Sequence, residues 1–152
     1  MSARARGVDV KPAVGLWVRL AKSYGLVLRE VRDAQGDSPL TLPQFDALAQ
    51  LLRHPEGMTA GDLSEALLVT AGNVTGLVDR LVARGFVTRR ASSEDARVRV
   101  VRLTAEGRRV ATREVARHET LLTRIFDVLS PREQLALSLN LDRVRNSLEN
   151  PA

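Results

Sequence analysis

Seven arginines stand between positions 80 and 102 (Arg80, Arg84, Arg89, Arg90, Arg97, Arg99 and Arg102), against two acids, Glu94 and Asp95. That excess of five equals the formal net charge of +5 carried by all 152 residues, so the remainder balances as a whole. A short basic block inside an otherwise near-neutral chain points to a polyanionic partner. Of the 23 basic residues only Lys11 and Lys22 are lysines. The planar guanidinium fork suits phosphate oxygens better than a point charge does, although codon preference produces the same bias. A solvated charged face is the competing reading, and charge alone does not decide between them.

Other chemistries are poorly supplied. Cysteine is absent, which removes disulfides, thiolate metal sites, a cysteine nucleophile and a thiol redox sensor. His54 and His118 are the two histidines and lie far apart in the sequence, so neither a metal site nor another cofactor is expected. Carboxylates are scattered, and no nucleophile pairs with a histidine. "TAGNVTG" (Thr70 to Gly76) has two glycines but lacks the lysine of a phosphate-cradling loop. The expectation is a protein that is not an enzyme. No apolar run is long enough to span a bilayer. "MSARARGVDV" has basic residues with no apolar stretch behind them, unlike a signal peptide. No membrane partner is expected, and a cytoplasmic location follows by default.

The elements that must position the arginines are mostly helical. A first helix runs from Pro12 to about Ala34, with Trp17, Leu20, Tyr24, Val27, Leu28 and Val31 on one stripe, and "QGDSP" breaks it. A second starts after Thr41, with a capping box completed by Gln44, and buries Phe45, Leu48, Ala49 and Leu52. "RHPEGM" stops it. Thr59 caps a short third helix whose inner side is Leu63, Ala66 and Leu67. The turn "LLVTAG" leads to a fourth, about Thr70 to Arg84, with Val74, Leu77, Val78 and Leu81 at core spacing and Gly85 just past its end. Two strands, Phe86 to Arg90 and Arg97 to Leu103, flank the polar loop "ASSEDA" as a hairpin. The adjacent Val100 and Val101 break the alternation, so a bulge or twist is expected there. Thr104 caps a long fifth helix with Glu106 in its first turn and Val110, Val115, Leu122, Ile125 and Phe126 on its apolar side, which Leu129 continues. A sixth begins at "SPRE" and carries Leu137, Leu141, Val144 and Leu148.

Two short helices, a tight turn between them and a basic hairpin describe a winged helix-turn-helix. The fold class is thus mainly α with a small β-hairpin wing (α+β). The outer positions of the fourth helix are Thr70, Ala71, Gly72, Asn73, Thr75 and Gly76. Such small residues allow deep entry into a DNA major groove, and an asparagine there can pair with adenine. Gly72 and Gly76 each cost a helix up to about 1 kcal/mol relative to alanine. On an exposed face, close backbone approach to a partner explains that cost better than packing does. Arg80 and Arg84 lie further along, towards phosphates. Arg90, Arg97 and Arg99 line the hairpin, and Arg97 near its tip suits a narrow minor groove. Asp95 cannot bind phosphate, so it either holds Arg97 or ties the loop down.

The run "VTAGNVTGLVDRLVARGFVTRRASSEDARVRVVRLTAEG" resembles the recognition helix and wing of the multiple antibiotic resistance regulator (MarR) family. The likeness includes Asp95-x-Arg97 and Leu103-Thr104-x-x-Gly107, and the helix order matches from about Pro12 to Leu148. It implies a homodimer that binds a palindromic operator in double-stranded DNA and usually represses a nearby gene. It also implies relief by a small, often anionic aromatic effector. Trp17, Tyr24, Phe45 and His118 are the residues that could line an effector pocket, although Trp17 suits a dimer core better. The missing cysteine excludes the family's peroxide-sensing chemistry. Independently, the terminal helices carry more apolar stripe than the chain can cover, which favours a homodimer. Its recognition helices would sit roughly 34 Å apart, one DNA turn. The expected organisation is a tail and first dimerisation helix (1–38), a DNA-binding domain (39–103) and C-terminal dimerisation helices (104–152). The alternative is a winged helix that binds protein without reading DNA sequence.

Overall fold

The computed structural model describes residues 11–67, 69–92, 95 and 97–150, the side chain of Ala71 excepted. The N-terminal "MSARARGVDV", and Ser93, Glu94 and Ala96 of the hairpin loop, lie outside the described residues. Two compact units are present, Met1–Pro39 and Leu40–Ala152.

The described part of the first unit holds one helix, α1 (Pro12–Gln35), with proline in its first turn. Its apolar stripe is largely uncovered: Val14, Leu16, Trp17, Val18, Leu20, Tyr24 and Leu26 are all exposed.

The second unit runs α2 (Leu42–Arg53), β1 (Met58–Thr59), α3 (Ala60–Leu67), α4 (Ala71–Ala83), β2 (Val87–Ala91), β3 (Arg99–Leu103), α5 (Ala105–Phe126) and α6 (Pro131–Glu149). Local chemistry sets the boundaries. The Thr41 N–H donates to Gln44 Oε1 at 3.1 Å, which closes α2 at its start. Thr59 and Asp62 do the same for α3 through two reciprocal bonds of 3.2 and 3.1 Å. Thr70 Oγ1 accepts from the Asn73 N–H, and Gly85 follows α4 with φ of 72°. Ser130 and Glu133 form a capping box on α6, and the Ser130 hydroxyl holds the Glu133 carboxyl below the usual glutamate range.

One hydrophobic cluster joins these elements. Phe45, Leu48 and Leu51 of α2, Leu63 of α3, Val74, Leu77, Val78 and Leu81 of α4, Val87 and Val101 of the sheet and Val110 and Ala111 of α5 are all buried in it. The four α4 residues are those its i, i+3, i+4, i+7 spacing singles out. On α3 the spacing overreaches, because Ala66 is exposed.

Two features depart from expectation. The sheet has three antiparallel strands in the order β1-β3-β2, so the hairpin gains a partner in β1. The pairing of β2 with β3 runs without a break from Val87↔Leu103 to Ala91↔Arg99, so the bulge expected at Val100 and Val101 is not there. Both valines are buried although they point to opposite faces of β3, Val101 into the core cluster.

α6 is the exception to this packing. None of its residues is buried, and Leu135, Leu137, Leu139, Leu141, Val144 and Leu148 are exposed. Among the described residues no single helix is long and apolar enough to cross a membrane.

Candidate nucleic-acid interface

α4 turns its apolar face into the core and leaves the opposite face bare. Gly72, Asn73 and Thr75 are exposed, as are Thr70 at the cap and Arg80 one turn from the end. Neither glycine is required by packing. A methyl group built on Gly72 meets nothing within 4 Å, and one built on Gly76 meets only the Arg80 guanidinium, at 3.5 Å. The small-residue face is therefore not dictated by the chain's own core.

Gly107 shows the opposite case. A methyl group there would lie 1.8 Å from the Phe86 carbonyl oxygen, so only glycine lets α5 start against the strand that begins the wing. Thr104 completes the junction. Its N–H donates to Phe86 O at 3.0 Å, and its hydroxyl donates to Gly85 O at 2.7 Å while accepting from the Gly107 N–H at 2.9 Å. The wing is thereby clamped at its root to the end of α4 and the start of α5.

At the tip, Asp95 ties the loop down. Its Oδ1 accepts from the Arg97 N–H at 2.8 Å, its carbonyl accepts from the Val98 N–H at 3.0 Å, and the Ser92 N–H donates to Val98 O at 2.8 Å. Of the two roles open to Asp95, the structure shows loop closure through the backbone of Arg97. The side chains of Arg90, Arg97 and Arg99 are exposed, and no described residue pairs with their guanidinium groups or with that of Arg80.

The other arginines of the block are engaged. Arg89 Nη2 donates to Asp79 Oδ1 at 2.6 Å, binding β2 to the outer side of α4. Arg102 pairs with Glu56 at 3.1 Å. Arg84, expected towards phosphates, donates to Gln44 Oε1 at 2.9 Å and lies 4.6 Å over the Phe86 ring. Its guanidinium braces α4 against α2 and the wing root. The sequence pattern named neither Asp79 nor Gln44 as a partner, because both pairs depend on how α4 is docked.

The proposed effector residues divide between the units. Trp17 and Tyr24, on α1, are 65% and 66% exposed. Phe45 and His118 come together in the second unit, ring centroids 4.8 Å apart. Phe45 is part of the core, whereas His118 is half-buried at the edge of a groove of about 400 Å³ between α2, α3 and α5. Asp46, Arg53 and Glu119 also line it. Asp46 is exposed as a residue, but partial burial of its carboxyl raises it above its usual range, and the facing His118 offsets part of that rise. No cluster of metal-binding side chains occurs among the described residues.

A buried helix-turn-helix, a glycine-bearing outer face and an arginine-tipped three-stranded wing occur together here. Residues 38–98 match the model of the MarR family. The HTH-type transcriptional regulator YfiV of Bacillus subtilis is 33% identical over 111 residues, 73% of this chain and 69% of that protein. The chain belongs to the MarR family. MarR proteins are transcriptional regulators rather than enzymes, and this chain is one by sequence and by fold. The same architecture recurs in CouR from Rhodococcus jostii RHA1, solved bound to p-coumaroyl-CoA. That match has a TM-score of 0.79 at 22% identity and covers 95% of this chain and 98% of CouR. BpsR of Bordetella bronchiseptica, whose DNA binding is regulated by 6-hydroxynicotinic acid, has a TM-score of 0.73 at 26% identity. Coverage there is 91% of this chain and 96% of BpsR.

Proposed function

We propose that this MarR protein is a homodimeric repressor that reads a palindromic operator with α4 and flanks it with the wing. In this reading Thr70, Ala71, Gly72, Asn73, Thr75 and Gly76 face base edges, and Asn73 pairs with adenine. Arg80, Arg90, Arg97 and Arg99 contact the phosphates and the minor groove. Asp95 and Arg84 position these groups rather than touching DNA. The observation that carries the reading is the α4 face: exposed Gly72 and half-buried Gly76, which no internal contact explains, beside arginines that no described residue pairs.

Dimerisation is supported by α6, whose leucines stay exposed instead of packing on α5, and by the bare stripe of α1. A second copy covering both stripes buries what one chain leaves in water. Trp17 and Tyr24 belong to that dimer surface, while Phe45 and His118 border an effector groove. The small organic ligands of CouR and BpsR support release by an anionic aromatic compound.

Fluorescence anisotropy with duplexes from the intergenic DNA beside the gene tests the reading. Affinity falls steeply between about 50 and 200 mM salt if several arginines meet phosphates. Arg97→Ala weakens binding and lowers the salt exponent by about one, and Asn73→Ala alters sequence preference. Unchanged binding in both variants means the reading surface lies elsewhere.

A further inference from the structure

We infer that Ser92 is the acceptor for a serine kinase that reads arginine, and that its phosphorylation releases the wing from DNA. The inference rests on the DNA-binding reading above. The run Arg89-Arg90-Ala91-Ser92 sets arginines three and two residues ahead of a serine. An enzyme groove lined with carboxylates at those two subsites grips such a run through charge-assisted hydrogen bonds.

The fold presents this run for docking. β2 is an edge strand, since β3 lies at the centre of the sheet, so among the described residues the outer side of Val87–Ala91 carries no neighbouring strand. Arg89, Arg90 and Ala91 are exposed, and Ser92 is partly exposed one residue beyond the last paired position, Ala91↔Arg99. Arg89 is held by Asp79 at 2.6 Å, but both partners are open to water, and exchange of such a surface pair for enzyme carboxylates is easy.

In the transfer step the Ser92 Oγ attacks the γ-phosphorus of ATP. The new O–P bond forms as the bond to the β,γ-bridging oxygen breaks, ADP leaves, and the serine proton passes to the kinase's base. The product adds a charge of about −1.5 to −2 and three strong acceptor oxygens. These land among the cations meant for DNA. The Ser92 N–H bonds Val98 O, which sets Ser92 opposite the residue between Arg97 and Arg99. Strand alternation puts Arg90 on the same face as Ser92. Arg99, paired with Ala91, takes the other face, so a phosphate on Ser92 pairs with Arg90 in place of DNA and repels the duplex, two effects of one sign.

The test treats the full chain with ATP, Mg²⁺ and a serine kinase that requires arginine three and two residues before its acceptor. Fragment mass analysis then locates the phosphate, and anisotropy measures binding to the intergenic duplex. The expected result is one phosphate on Ser92, absent in Ser92→Ala, and retained in Ser93→Ala. Modified protein and Ser92→Glu bind at least about tenfold more weakly near 100 mM salt, with a salt exponent smaller by about two. Ser92→Ala binds as the untreated chain does. A phosphate placed elsewhere or nowhere, or Ser92-modified protein that binds undiminished, overturns the inference while the untreated chain's binding upholds the DNA reading. An untreated chain that binds no duplex overturns both.

Discussion

Gly76→Ala adds one methyl group to the outer face of α4 and separates what the helix needs from what DNA needs. Its new carbon lies 3.5 Å from Arg80 Nη1, ordinary van der Waals contact with the end of a flexible side chain. Nothing in the core is touched, and Gly76 sits inside a 13-residue helix. Alanine there stabilises a helix by about 0.8–1 kcal/mol over glycine, a four- to fivefold gain in the folding constant and about 2–4 °C in Tm. In the proposed complex the methyl group stands between the helix backbone and the groove. If the contact is as close as a packed core, the overpacking costs about 1–3 kcal/mol, roughly five- to 150-fold in affinity. Thermal melting by circular dichroism and anisotropy on the operator duplex read the two effects separately. The variant should melt higher and bind more weakly. A higher Tm with undiminished binding refutes close backbone approach at Gly76, and a lower Tm refutes the claim that packing leaves the position free.

Gly107→Ala should behave in reverse. Its methyl group collides with the Phe86 carbonyl, and because both sides are backbone the cost is about 1–3 kcal/mol or more, seen as a fall in the denaturant midpoint. Asp95→Ala removes the acceptor of the Arg97 N–H; it should leave Tm nearly unchanged, speed amide exchange at Arg97, and weaken DNA binding. Partial burial raises the Asp46 pKa above 3.8, with His118 offsetting part of the rise. A carboxyl raised on folding binds its proton more tightly in the folded chain. Its contribution to stability therefore grows as pH falls from the folded value to 3.8 and is lost as pH rises through that window. Asp46→Asn should flatten the denaturation-midpoint curve across it, and an unchanged curve would place the carboxyl in water.

The helices were legible because their signals are local. Thr41 with Gln44, Thr70, Thr104 and Ser130 mark starts within three residues of the groups they satisfy, and the α4 stripe announces its own buried face. β1 escaped because two residues, Met58 and Thr59, show no periodicity. Val100 and Val101 suggested a bulge because alternation assumes one wet face, whereas both are buried although they point to opposite faces of β3. At the candidate interface, residue type and helical spacing singled out the outer face of α4 and the tip arginine, and both are exposed. They grouped Arg84 with Arg80, and gave no partner for Arg89 beside Arg90. The distinction within each pair rests on Gln44 and Asp79, 40 and 10 residues away, and on the docking of α4 against its neighbours. Gly107 stood out in sequence as part of a pattern, and its reason, the Phe86 carbonyl, is tertiary.

Methylation interference and hydroxyl-radical footprinting on the intergenic duplex probe groove and spacing together. The account predicts two protected patches on one side of the helix, roughly 34 Å apart, with interference at major-groove positions inside each and minor-groove protection outside them. A single patch, or protection without major-groove interference, would contradict it.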